Sequence, residues 1–402
     1  MNSSGWPSPA AALLAATMLA LAACTPASSS APPSAARSTG PATSPSSEQP
    51  ATGGQTPEPP RTSSSSDWSA VVEAARREGV VQCACPPRPD YTKLLKDNFE
   101  QANPGIRLDA SPATLPDIWA RVEKEQEAGQ YLWDVYMFGP TVEMFGLKNK
   151  GGFDSFRDYM VGPDVGDESV WDGGWNAAFL DNEKRYIFAF WRNVTSNITI
   201  NRDLLPSAQV HTLDDLLKPD YRGKLVWQDP RGGGIGVSFL TGAYHYRGPD
   251  VVKQLLVDQQ PMLVRGNVEM AEQVIRGGRQ LSIGALSADT LVEYQQAGIP
   301  LKLEDVDLDD IPSVSNSGLA PAIFKNAPHP NATKVFVNWL LSEPAQELLQ
   351  REQHNNSTRK DVPPSDSSNK PKAGVQYFHT QTEDAMTQVT PAAQRLAREL
   401  VP

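Results

Sequence analysis

Gly79-Val80-Val81-Gln82-Cys83-Ala84-Cys85-Pro86-Pro87 is the run on which the reading of this 402-residue chain turns. Residues 80–85 are apolar and partly β-branched, the length of a buried strand, and two prolines without N–H groups end it. Upstream, Trp68, Val71, Val72 and Ala75 recur at helical spacing, and Gly79 supplies the stop. Downstream, a helix over 91–101 halts at Asn103-Pro104-Gly105, and 106–110 reads as a second strand. A third helix over 117–128 ends at Gly129, ahead of a strand over 133–138. Strand, helix and strand joined this tightly imply parallel β-α-β units with right-handed crossovers.

The middle of the chain repeats the pattern. Gly223-Lys224 opens a strand over 225–228 that runs into Asp229-Pro230-Arg231-Gly232-Gly233-Gly234, with a helix from about Val237. A helix over 268–276 stops at Gly277-Gly278, and a buried strand over 281–285 follows. Then come a helix over 288–297, Gly298 and a strand over 301–303. Two α/β lobes are therefore expected. Between them, residues 186–200 are apolar and β-branched (Ile187, Phe188, Phe190, Trp191, Val194, Ile198, Ile200), as extended chain crossing between lobes would be.

The N-terminal part is different material. Residues 10–23 are apolar and Ala/Leu-rich, too short to span a bilayer but right for the core of a signal peptide. They end Leu21-Ala22-Ala23-Cys24, which resembles the bacterial lipobox and implies lipid on Cys24 and a membrane tether, although residues 1–9 lack the usual basic side chains. Residues 1–23 are thus expected to be a signal peptide, and 24–66, rich in Ser, Pro and Thr, a lipidated and disordered tether. Composition narrows the function further. Lys and Arg total 36 against 47 Asp and Glu, a net charge of −11, so no basic face for nucleic acid is expected. Only 3 cysteines exclude a disulfide-built scaffold.

Five motifs in order carry a family likeness. They are Ala74-Ala75-Arg76-Arg77-Glu78-Gly79, Glu125-Gln126-Glu127-Ala128-Gly129 before Asp134-Val135, and Leu213-Asp214-Asp215-Leu216-Leu217-Lys218-Pro219 with Gly223-Lys224 before Asp229-Pro230. The strongest is Lys325-Asn326-Ala327-Pro328-His329-Pro330-Asn331-Ala332 with Phe336-Val337-Asn338-Trp339-Leu340-Leu341-Ser342, and Arg359-Lys360-Asp361-Val362 closes the series. The chain resembles ABC-transporter solute-binding proteins of the type 2 periplasmic-binding-protein fold, in the family related to ferric-iron binders, over residues from about 65 to 365. The resemblance implies an α/β, two-lobed receptor hinged on two crossover segments. Lobe 1 would comprise 67–190 plus 318–402, and lobe 2, with the hinge crossovers, 191–317. It implies a monomer without cofactor that captures a small-molecule solute between the lobes and delivers it to a membrane ABC permease, held by its lipid anchor on the outer face of the cytoplasmic membrane.

Enzyme motifs are missing: there is no His-Glu-x-x-His, Gly-x-Ser-x-Gly, Walker loop or Gly-x-Gly-x-x-Gly, and the five histidines are scattered. No catalytic residue is expected, and a lipid-anchored hydrolase is the remote alternative. For iron, the resemblance implies adjacent tyrosines as ligands. The chain has no Tyr-Tyr, and Tyr244-His245-Tyr246 would point in different directions on a helix. A ferric or iron-chelate binder is therefore the second reading, behind a small organic or oxyanionic solute. Cys83 and Cys85 share a strand face and could form a disulfide or remain thiols. Candidate contacts lie where strands end at the cleft: Cys85 and Arg88, then Gly139, Pro140 and Thr141, then Arg231, Gly232, Gly233 and Gly234, then Ser287. The crossovers add Trp191, Arg192, Asn193, Asn316 and Ser317. The Gly-rich turn would offer free N–H groups and the Arg231 fork to an anion, or would simply reverse the chain with Arg231 on Asp229.

Overall fold

The computed structural model describes residues 65–86, 88–112, 115–316 and 318–401. The leader, Cys24, nearly all of the tether and Ser317 lie outside the described residues.

The strands in chain order are β1 (Val80–Cys85), β2 (Arg107–Pro112), β3 (Val135–Tyr136), β4 (Phe153–Asp154), β5 (Asn193–Val194), β6 (Asn197–Asn201), β7 (Leu225–Gln228), β8 (Met262–Val264), β9 (Leu281–Ile283), β10 (Leu303–Asp307), β11 (Ser313–Ser315), β12 (Ala322–Phe324) and β13 (Phe378–His379). The first sheet runs β2-β1-β3-β12-β4. β1 lies parallel to β2, with Val80 opposite Arg107 and Cys85 opposite Pro112, and parallel to β3. β12 returns antiparallel between β3 and β4, so the sheet is mixed rather than wholly parallel. Alternation along β1 feeds two cores. Val81, Cys83 and Cys85 point into one with Leu95, Phe99 and Phe336, while Ala84 points into the other with Trp119 and Tyr136.

The Lys325–Ala332 motif closes this lobe. His329 donates its backbone N–H to the buried Asp134 carboxylate at 2.8 Å and places Nδ1 2.9 Å from it. Glu78 accepts from Ala332 N at 2.7 Å, satisfying an orphan donor at the start of the helix Pro330–Leu340. These motif residues build the lobe; none lines the cleft described below.

The second sheet runs β10-β6-β9-β7-β8. β7 is parallel to β8 and β9, and β6 is antiparallel to β9 and β10. Ile198, Ile200, Leu225 and Trp227 pack beneath the helix Ile235–Arg247 through Phe239 and Leu240. The strand expected at 301–303 lies instead at β10. Apolar density pointed to Leu301 and Leu303, but pairing with the buried β6 selected the next residues, where Val306 is buried and Asp305, on the opposite face, turns to the cleft.

A third, small sheet, β13-β11-β5, joins the two crossovers: Val314 pairs with Val194 and Ser315 with Asn193, antiparallel. The C-terminal end departs from the expectation that all of 318–402 sits with the first lobe. The helix Thr390–Leu400 buries Ala393 and Ala397 in the second core, because its apolar stripe fits against the helix Ile235–Arg247.

Candidate functional site

Two adjoining cavities, of about 380 and 610 Å³, open between the sheets and share Phe138, Ile235, Asn267 and Gly318. Their walls are the ends of β1, β3 and β9, as expected of open α/β sheets. From the first lobe, Arg88 and Tyr91 follow β1 into the smaller cavity, and Gly139 and Pro140 follow β3 into the larger. From the second, Ser287 and Asp305 face the smaller cavity, and Gly232, Gly233 and Gly234 the larger. Trp191 enters from the crossover.

The smaller cavity is lined by polar atoms that protein does not satisfy. Tyr91 Oη, Trp191 Nε1, Asn267 Oδ1 and Asn369 Oδ1 are buried without a hydrogen-bond partner, and all four residues line it. Burial holds the Tyr91 phenol well above its usual range, with the nearby Arg88 opposing in part, so Tyr91 presents a neutral hydroxyl. The Arg88 guanidinium sits 5.8 Å from the Tyr91 ring. Across the cavity Asp305 accepts from Thr199 Oγ1 at 2.5 Å. Asp305 is open to the cleft, but protein on most sides desolvates it and, with Asp366 and Asp307 nearby, raises its pKa. The arrangement offers a cation, a carboxylate and neutral donors and acceptors to one small molecule.

The larger cavity is framed by the Gly-rich turn. Gly236 must be glycine, since a Cβ there would stand 2.0 Å from Gln228 O where the helix leaves β7. Ile235 N donates to Gln228 Oε1 at 3.1 Å, so part of the helix start is already satisfied. Gln394 Nε2 donates to Gly232 O at 2.6 Å and ties the turn to the C-terminal helix.

Several expected contacts are elsewhere. Cys85 is fully buried and disulfide-bonded to Cys83, because side chains two apart on a strand share a face. Thr141 caps the helix Val142–Asn149, accepting from Met144 N at 3.2 Å. Arg192 turns to the opposite face from Trp191, donating to Ala177 O at 2.9 Å and Asp172 at 3.3 Å. Asn193 pins the hinge: its Nδ2 donates to Asn355 Oδ1 at 2.7 Å, and its Oδ1 accepts from Asn356 N at 3.1 Å. Asn316 is buried, donating from Nδ2 to Leu319 O at 2.7 Å. Arg231 pairs with Asp229 at 2.8 Å and donates to Val401 O, and it lines neither cavity. The scaffold reading of that turn describes its guanidinium.

Sequence reasoning missed Tyr91, Asn267, Asp305, His354, Asp366 and Asn369 as cavity residues. Tyr91 carried a signal, standing in the first turn of the helix after β1. The residues at 354–369 carried none, because they lie in irregular chain beyond the helix Glu343–Gln353.

Residues 95–375, more than half of the chain, match the family of bacterial extracellular solute-binding proteins, and the chain belongs to that family. Solved structures agree in fold. The apo ferric-ion-binding protein A of Pasteurella haemolytica is similar at 18% identity and a TM-score of 0.61, covering 80% of this chain and 98% of its own. Iron-bound HitA of Pseudomonas aeruginosa matches at 13% and 0.58, over 80% and 99%. The periplasmic binding protein AfuA of Actinobacillus pleuropneumoniae, solved with fructose-6-phosphate, matches at 17% and 0.54, over 81% and 98%. The protein is therefore a two-lobed binding protein of the extracellular solute-binding class.

Proposed function

We propose that this chain is the receptor of an ABC importer and captures a small organic or oxyanionic solute in the cavity between β1, β9 and the crossovers. The observation that carries this reading is the convergence of four unsatisfied buried polar atoms, from both lobes, a crossover and the 354–369 segment, on one cavity of about 380 Å³. A molecule touching both lobes stabilises the closed arrangement and so drives closure about the crossovers. The division of labour follows the sheets, with the hinge at β5 and β11. The chain would work as a monomer without catalytic chemistry, and Cys24 would carry the lipid that holds it at the outer face of the membrane. Among the described residues no helix is long and apolar enough to cross a membrane.

The donor set favours an organic solute over bare ferric ion. Tyr91 and Trp191 offer neutral donors, and no three His, Cys, Asp or Glu side chains converge among the described residues. Native mass spectrometry of protein purified without refolding tests this. An organic mass released on denaturation is expected; one iron per chain with a visible tyrosinate colour would transfer the assignment to the iron reading.

A further inference from the structure

The crossover ladder is a thin wall with two faces. Chain neighbours along it line opposite cavities: Trp191 and Asn355 face the solute cleft, while Arg192 and Asn356 line a separate cavity of about 530 Å³. Ser315 and Thr380 likewise face the cleft side, and Val314 and His379 the other. Extended chain alternates its side chains, so successive residues along the wall are sent to opposite cavities.

We propose that this second cavity binds a small dianion of the phosphate or dicarboxylate kind. Five cations line it, Arg192, Arg359, Lys360, Lys370 and Lys372, against one carboxylate, Asp172, in a chain whose net charge is −11. Three of the five stand in ion pairs, two of them with carboxylates outside the cavity. Arg359 pairs with Asp361 at 2.8 Å and Asp164 at 3.1 Å, and Lys372 pairs with Asp307 at 3.1 Å, with Asp309 beyond at 3.9 Å. Lys360 and Lys370 close no ion pair within 4.0 Å among the described residues, Lys360 having only the more distant Asp167 carboxylate near it. Arg192 keeps only 18% of its side chain exposed and faces Asp172 at 3.3 Å, one edge of its guanidinium fork. Desolvation lowers its pKa, and Asp172 offsets this only in part. A guanidinium that keeps N–H groups beyond its bonds to Asp172 and Ala177 O, beside two ammonium groups outside any close ion pair, is a donor set suited to a multivalent oxyanion. The bound anion would join the crossover, through Arg192, to the 370–375 loop, which Lys372 fastens to β10.

The test is calorimetric titration of inorganic phosphate, and separately of malonate, into the full-length chain and into the Lys360→Gln/Lys370→Gln variant. Saturable binding of at least one anion, weakened roughly tenfold or more in the variant while its melting temperature is unchanged, is the expected result. A variant that binds as tightly as the parent, or a parent that binds neither anion, overturns the site. Loss of anion binding in Arg88→Ala would place the anion in the solute cleft and overturn it equally.

Discussion

An unsatisfied indole N–H is not by itself a sign of a ligand. Trp119, Trp171 and Trp227 bury theirs without an acceptor inside apolar cores, whereas Trp191 alone among these tryptophans also lines the cleft. The consequence is a substitution that separates packing from recognition. Trp191→Phe retains most of the ring contact with Phe190 and removes the donor, so affinity for the co-purified solute should fall about 2- to 10-fold by calorimetry, with stability little changed. Equal affinity would show that the N–H is as idle as those in the cores. His379 gives a second expectation at this scale. Burial, reinforced by Arg192 and Lys184, pushes its pKa down to about 3, and its Nδ1 accepts from Gln381 N at 3.2 Å, which requires the neutral ring. The unfolded imidazole titrates near ~6.5, so between roughly 6.5 and 3 the unfolded state binds the extra proton. Stability is therefore full above that window and lost as the pH falls through it. Melting temperature measured against pH should show this slope in the parent and a shallower one in His379→Gln.

At the scale of elements, the segment after β13 is fastened by a buried ion pair. Lys148 Nζ, with its side chain 2% exposed, donates to Glu383 at 2.8 Å and also meets Glu183. Glu383 Oε2 accepts from Asn182 N at 3.0 Å as well. Removing Glu383 leaves Lys148 with only the half-exposed Glu183, so Glu383→Gln should cost about 1–3 kcal/mol in denaturant unfolding, and Lys148→Met with Glu383→Gln together should cost less than the two singles summed. Additive losses would mean that the groups act independently. This segment also shows where sequence stops being legible. The helices and strands through β3, and then β7 and β9, could be read because glycine and proline punctuate short apolar runs, and the order of segments pointed to the two-lobed fold; β8 (Met262–Val264) was not read, being three residues long. What could not be read was pairing at a distance: that residues 186–200 would yield β5 and β6, that β10 would pair with β6, and that 354–369 would supply the third wall of the cavity. The helix Thr390–Leu400 has a visible apolar stripe at Ala393, Leu396, Ala397 and Leu400, but no local pattern says which core it covers. Among site residues, Arg88, Gly139, Pro140, Trp191, Ser287 and the three glycines reach the cavities since strand ends must. Cys85, Thr141, Arg192, Asn193 and Arg231 do not, because each found a nearer partner.

For the molecule as a whole, recognition and the proposed membrane attachment are separable. The cleft and its walls lie within residues 86–394, and the proposed lipid attachment at Cys24 lies far outside them in sequence. Cys24→Ser should therefore release the protein from washed membranes while its affinity for the co-purified solute stays the same; continued membrane association after the substitution would exclude lipid on Cys24 as the anchor. Within the folded part, the chain from Glu383 to Leu400 is helical throughout, with a π-helical turn over Ala385–Val389 ahead of the α-helix Thr390–Leu400; its first residue is held by Lys148 against the first lobe and its far half is sunk into the second core. A helix rises only about 1.5 Å per residue and hardly stretches. Pinned at one end and embedded at the other, it connects the two lobes beside the paired crossovers. Such a link would oppose sliding of the lobes more than rotation, so solutes of different shape would be met along much the same arc.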